Sequence, residues 1–335
     1  MKLNISKVAK KCGVSTATVS RVINNPNKVN EKTRKKVERV INELGYVPNQ
    51  QARSLRNQKT RMIGVIIPHK TDYLFEYPYF SIFLKECSKR LRKDNYHLIL
   101  TTDENESNST DTYQMFLNKR IVDGFIVMDV TENDRRIEFL KQKKANFVVI
   151  GRIANSNNIV YIDTNNEHGA YVATKYLIEL SGPNILFING PKDHSVSKWR
   201  LKGYKKALKD LGFKVNNELV AVGDFKEETG EKITKEKLSN ANIDGIFATS
   251  DLMAVGAMKA LKQMNVNKPV IGFDDIPLAS SFQPSLTTVR QPIEKVGYQA
   301  AEKIVKLIDT GSAESAVLDV ELMIRESTRF YHEDS

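Results

Sequence analysis

Residues 15–25 read STATVSRVINN, and this stretch decides the first domain. Ser15 is a good N-cap, its hydroxyl free to accept from the unpaired N–H groups of a helix that opens at Thr16. At about 100° per residue, Val19, Val22 and Ile23 share one narrow apolar stripe, while Ala17, Arg21 and Asn24 fall together opposite it, with Ser20 at the edge. So short a helix needs neighbours to be stable, and the flanking sequence supplies them. Ile5 to Lys11 predicts a first helix and Gly13 a turn. A third helix starts near Glu31, capped by Asn30, with Val37, Val40, Ile41 and Leu44 inward and Gly45 as its stop. Two short helices joined by a glycine turn make a helix-turn-helix, whose second helix can enter a DNA major groove because its outer side chains are small and polar.

The charge distribution agrees. Of the 51 Lys and Arg in the chain, 14 lie in residues 1–60, against 3 Glu, so this segment carries the whole net charge of +11. Basic side chains concentrated in this way fit a polyanion, because they gain affinity by releasing counterions from phosphates. At 335 residues the chain is long enough for two or three units. It has no run of about 18 apolar residues for a membrane helix, and MKLNISKVAK is not an apolar leader, so a cytoplasmic location is expected. Cys12 and Cys87 have neither disulfide-framework nor metal-ligand spacing and are expected as reduced thiols.

The runs ISKVAKKCGVSTATVSRVINN and TRKKVERVINELGYVPNQQARSL resemble the DNA-binding headpiece of the LacI/GalR family of bacterial transcriptional regulators, without a gap over residues 3–56. The resemblance places Thr16, Ala17 and Arg21 at positions that read base edges, and Ser15, Ser20 and Asn24 on phosphates. Chemistry singles out Arg21, whose guanidinium can donate two bonds to guanine. By composition residues 49–60 are a polar linker. In the family they form a hinge helix, ordered on operator DNA, that wedges a leucine into the minor groove. Here Leu55 takes that place, beside Asn49, Ala52 and Arg53.

From residue 61 short apolar runs alternate with amphipathic helices: MIGVIIP, YHLIL, DGFIVM and FVVIG, then NILFING, DGIFATS and PVIGFDD. This is the pattern of an α/β fold with parallel sheets, and two blocks imply two lobes with a ligand at the strands' carboxyl ends. The segments YIDTNNEHGAYVATKYLIE, WRLKGYKKAL, TSDLMAVGAMKAL, IGFDD and LTTVRQP resemble the core of the same regulators, which is similar to periplasmic sugar-binding proteins. The implied organisation is a headpiece over 1–48, a hinge over 49–60, and an effector-binding and dimerisation domain over 61–335. Its first lobe would span 61–160 and 291–319, and its second 161–290 and 320–335.

Within that domain Arg200 and Asp274 match the family's effector-binding arginine and carboxylate. A carboxylate can accept two adjacent sugar hydroxyls while a guanidinium donates to a third. Phe225, Ser250 and Gln291 fall at family pocket positions. Tyr77, Tyr79 and Phe80, with Trp199, offer aromatic faces. Arg152 stands where some members carry an effector-contacting Asp, and Asn165 replaces an Asp common in the family. The stretch PYF resembles a Pro-Phe-Phe of maltose-type repressors, which points to maltose or a related α-glucoside.

An enzyme is the competing class, but the chain has no GxxxxGKS/T, GxGxxG, GxSxG or HExxH, and its five histidines are scattered. His194 in PKDHSVSKW reads as an exposed loop histidine. No cofactor or metal is expected. A sugar-binding α/β protein without DNA regulation would leave the basic first segment unexplained. The resemblance therefore implies a repressor that binds a palindromic operator as a homodimer, through helix 80–94, the FEYPYF loop and Asp251 to Leu261, and is released by a small sugar. A corepressor, sugar or phosphoprotein, is the less favoured variant of that reading.

Overall fold

The computed structural model describes residues 3–46, 59–68, 71–103, 109–153 and 158–329. The hinge residues Asn49, Ala52, Arg53 and Leu55 lie outside them. The chain divides into two units, Met1–Thr60 and Arg61–Ser335.

The first unit has three α-helices among its described residues, each started by a side chain that accepts from the backbone. Asn4 caps α1 (Ile5–Cys12), Ser15 caps α2 (Thr16–Asn24) through Thr18 N at 3.1 Å, and Asn30 caps α3 (Glu31–Leu44). Gly13 and Gly45 close α1 and α3 at φ +64° and +60°, a conformation that costs a side-chain-bearing residue more than glycine. Val8, Ala9, Cys12, Val19, Val22, Val37 and Val40 form the buried core, with Ile23, Ile41 and Leu44 packed on it.

The second unit begins β1 (Met62–Ile67), α4 (Thr71–Glu76), α5 (Pro78–Lys93), β2 (His97–Thr102), α6 (Asp111–Asn118), β3 (Gly124–Val127), α7 (Arg135–Gln142), β4 (Phe147–Ile150) and β5 (Val160–Thr164). It continues α8 (Asn166–Ser181), β6 (Ile185–Asn189), α9 (Ser195–Asp210), β7 (Val220–Val222), α10 (Glu227–Asn240), β8 (Gly245–Ala248), α11 (Asp251–Met264), β9 (Val270–Asp274), α12 (Pro277–Ser281) and β10 (Thr287–Arg290). Then follow α13 (Ile293–Thr310), β11 (Ala316–Leu318), β12 (Glu321–Met323) and α14 (Glu326–Arg329).

Two six-stranded sheets result, in the orders β11-β5-β4-β3-β1-β2 and β12-β10-β9-β8-β6-β7. All neighbours are parallel except β10 and β12. Each sheet has an apolar cluster on both faces, which is why β3, β4 and β8 are continuous buried apolar runs rather than alternating ones. In each sheet the strand order reverses beside the first strand, between β1 and β3 and again between β6 and β8. These reversals are the places where open α/β sheets leave a crevice.

The chain passes between lobes three times: after Thr164, between Arg290 and Ile293, and between Leu318 and Glu321. The first passage is later than the expected boundary at 160, because Val160–Thr164 completes a strand of the first sheet, pairing with β4 and β11. In the segment Asp251–Leu261, expected to pair subunits, most side chains are buried within the one chain, Leu252 and Lys259 being half-buried. Its Gly256 lies so close to α10 that an added Cβ would sit 2.0 Å from the Glu227 carbonyl.

Candidate functional site

In the first unit Ser15, Thr16, Ala17 and Arg21 are exposed and Ser20 is half-buried. Asn24 lies in α2, but its side chain is outside the description. The Ser15 hydroxyl accepts from Thr18 N and bonds the Thr18 hydroxyl, so its described role is to start the helix. Val19 and Val22 pin one side of α2 to the core, which leaves the exposed side for a polyanion.

In the second unit a cleft opens between the two sheets at their carboxyl ends. It is lined by Tyr77, Tyr79, Phe80, Arg200, Phe225, Asp274 and Gln291, all expected from sequence, and by Tyr73, Asp129, Asp163, Thr164, Asn166 and Ser195, which were not. Arg200 is 4% exposed. Its Nε donates to Asn166 Oδ1 at 2.8 Å and its Nη1 to the Thr249 carbonyl at 2.5 Å. Its Nη2 lies 3.7 Å from Asp274 Oδ1, and its plane covers the Phe273 ring at 3.8 Å. The helix carrying it packs hard on α8: a Cβ at Gly203 would meet the Glu167 carbonyl at 2.1 Å. Glycine there lets the guanidinium reach the cleft floor.

Asp274 ends β9 at φ +117°, followed by Asp275 at +58°. Buried Asp251 fixes this turn from behind, Oδ2 accepting from Ile276 N at 2.8 Å and Oδ1 from the Thr288 hydroxyl. Asp275 is clamped by Arg290 Nε and Arg325 Nη2, both at 2.6 Å. The Asp274 carboxylate accepts from Gln291 Nε2 and from the Tyr77 hydroxyl. Gln291 Oε1 accepts in turn from Thr164 Oγ1 at 2.6 Å. A chain of hydrogen bonds thus joins the end of β5 in the first sheet to the end of β9 in the second. Burial raises the Asp274 carboxyl, opposed by Arg200 and by its two donors. It also raises Asp163, to about 6, against the pull of Arg152 and the Thr164 N–H.

Three expected site residues do not line the cleft. Ser250 is fully buried because it caps α11, accepting from Met253 N at 3.3 Å. Arg152 and Trp199 pack on each other at the cleft's edge: the guanidinium stacks on the indole at 4.0 Å with its Nε 3.8 Å from Asp163 Oδ2, and Trp199 Nε1 donates to the Arg152 carbonyl at 3.0 Å. Asn165 caps α8, so the carboxylate of that turn is Asp163. His194 is not an exposed loop residue. It is 8% exposed, its Nδ1 lies 2.9 Å from Asp129 Oδ1, and its backbone bridges to Thr131 across the lobes. Of the missed residues, Asp163 and Thr164 end β5 and Asp129 and Asn166 sit two positions past a strand end, a signal readable in YIDTNN but masked by the neighbouring Asn.

Residues 4–49 match the lacI family of bacterial regulatory proteins, and residues 174–328 match a periplasmic binding protein-like domain. The chain is 34% identical to the HTH-type transcriptional regulator RegA of Clostridium saccharobutylicum, over 98% of this chain and all of that one. It is 32% identical to the HTH-type transcriptional regulator MalR of Clostridium butyricum, over 97% of this chain and 99% of that protein. Among solved structures, the complex of the transcriptional regulator CelR with cellobiose aligns at a TM-score of 0.76 and 30% identity, covering 97% of this chain and all of that one. With likeness running through both units, this chain belongs to the lacI family of bacterial regulatory proteins and is a DNA-binding transcriptional regulator, not an enzyme.

Proposed function

We propose that the protein is a repressor that holds a palindromic operator as a homodimer and releases it when a small sugar fills the interlobe cleft, maltose and related α-glucosides being the first candidates. The observation that carries this reading is the buried Asp274–Arg200 pair set among Tyr77, Tyr79, Phe80 and Phe225. Carboxylate and guanidinium offer fixed acceptors and donors for sugar hydroxyls, and the rings offer stacking faces. The solved CelR complex, with cellobiose bound, supports a disaccharide of glucose as the chemical class. Thr16, Ala17 and Arg21 would read base edges, with Ser15, Ser20 and Asn24 on phosphates. Phe75, 73% exposed, leaves apolar surface on the first lobe for a partner copy.

The mechanism is a change in lobe geometry. Thr164 and Gln291 join the lobes at two of the three passages and touch the cleft chemistry directly. A ligand binding one lobe arrangement better than the other therefore shifts the pair of headpieces out of the joint register that a palindrome requires. The test is titration calorimetry with maltose, other α-glucosides and cellobiose, alongside fluorescence anisotropy on operator DNA. Binding of one sugar that weakens DNA binding supports the reading. A sugar that tightens DNA binding reverses its sign, and silence across the panel directs attention to a phosphorylated metabolite or phosphoprotein corepressor.

A further inference from the structure

Asp274 is the acceptor on which the sugar reading rests, yet the chain itself already uses it. The residue is 1% exposed. Oδ1 accepts from Gln291 and faces Arg200, and Oδ2 accepts from the Tyr77 hydroxyl. Tyr77 comes from the first lobe, between α4 and α5, whereas Asp274 belongs to the second. The Tyr77 ring is held by Tyr73, Tyr79 and Phe80, with centroids 5.8, 6.0 and 5.8 Å away. With this ring in place the cleft retains a free volume of about 80 Å³, against roughly 300–1,000 Å³ for pockets that take small molecules. Burial, and then the Asp274 charge, push the phenol's pKa well up, so it remains a donor at any physiological pH. A phenol O–H on a buried carboxylate, backed by an apolar ring, presents the chemistry that a sugar hydroxyl and ring face would present.

We propose that Tyr77 is an internal competitor for the effector: the sugar reaches Asp274 by displacing the Tyr77 hydroxyl, and residue 77 sets the concentration at which the protein responds. This inference rests on the sugar reading above and concerns the same cleft. Binding then exchanges one hydrogen bond to a carboxylate for another, so measured affinity is lowered by the bond that must be broken. Because an alcohol O–H is a weaker donor than a phenol O–H, a ligand that offers a single hydroxyl is rejected, and the exchange favours one that adds contacts to Arg200 and the aromatic rings. Because the Tyr77–Asp274 bond spans the lobes, the empty protein is also tied across the cleft by a contact that the sugar replaces.

Tyr77→Phe keeps the ring and removes the donor. With maltose and cellobiose as probes in titration calorimetry, the variant should bind whichever sugar the wild type binds about tenfold more tightly. It should also release operator DNA at correspondingly lower sugar, and an unchanged near-UV circular dichroism spectrum would report an intact aromatic cluster. Equal or weaker binding by the variant, with wild-type binding present, overturns the competition and leaves the sugar reading standing. Silence of both proteins overturns the two together, and the silent wild type identifies that case. A crystal structure of the wild-type chain with the bound sugar is an independent check: a Tyr77 hydroxyl off Asp274 supports the proposal, and one still bonded to it overturns it.

Discussion

The two units place their functional groups in opposite ways. In the headpiece a seven-residue core of small side chains exists to orient one exposed face, and Thr16, Ala17 and Arg21 stand in solvent. In the cleft Arg200, Asp274 and Gln291 are all buried, each held by partners far away in sequence. A surface that reads DNA can keep its charges hydrated until binding, whereas a sugar pocket holds charges out of water, where each needs a partner of opposite sign or a hydrogen-bond donor or acceptor. The headpiece is thus a local object, and the cleft is a product of the whole second unit.

The largest expected effect is separation of the two. Removing residues 1–60 should abolish operator binding in an anisotropy assay while leaving calorimetric sugar affinity unchanged; a coupled loss of sugar binding would break the comparison. Next, Asp274→Ala should cost at least about a hundredfold in sugar affinity, since it removes a charged acceptor and leaves Arg200 buried without it, with operator affinity retained. Arg21→Ala should weaken operator binding by about 1–3 kcal/mol and relax base preference at one position, seen by competition with operator variants. A uniform loss across sequences would instead place Arg21 on a phosphate.

Smaller effects test the cores. Val19→Ala removes two buried methyl groups at about 0.8 kcal/mol each, and should lower headpiece unfolding free energy by about 1.6 kcal/mol in urea without moving the transition of the second unit. Last comes pH. Asp163 is raised by burial to about 6 from 3.8, so the folded chain keeps this proton longer than the unfolded one. Stability contributed by this group therefore falls as pH rises from about 4 to about 6, and stays lowered above. Asp163→Asn should flatten that part of the stability curve relative to wild type; identical curves would show that Arg152 fully offsets the burial.

Legibility followed the same division. In STATVSRVINN the cap, the stripe and the outer face are all set within a few residues, so a single short stretch was enough to place the helix and its exposed side. The strands at MIGVIIP, DGFIVM and DGIFATS were legible because both faces are buried. The short strands at Val220–Val222 and Glu321–Met323 were not, since a three-residue edge carries no pattern. In the cleft, Arg200 and Asp274 could be named from their motifs. Ser250 was misplaced because a serine at a strand end serves equally as a helix cap, and only packing decides which.

By itself, then, the sequence determined the headpiece and the α/β alternation, because helix caps, periodicity and charge segregation act over neighbouring residues, while the candidate pair at the cleft came from the family resemblance of WRLKGY and IGFDD. Only the tertiary structure decided that β5 runs to Thr164 in the first sheet, that Arg152 turns to Trp199, that His194 meets Asp129 across the lobes and that Tyr77 bonds Asp274. Each of these joins groups brought together by the sheets, and no local spacing encodes a contact between residues 77 and 274.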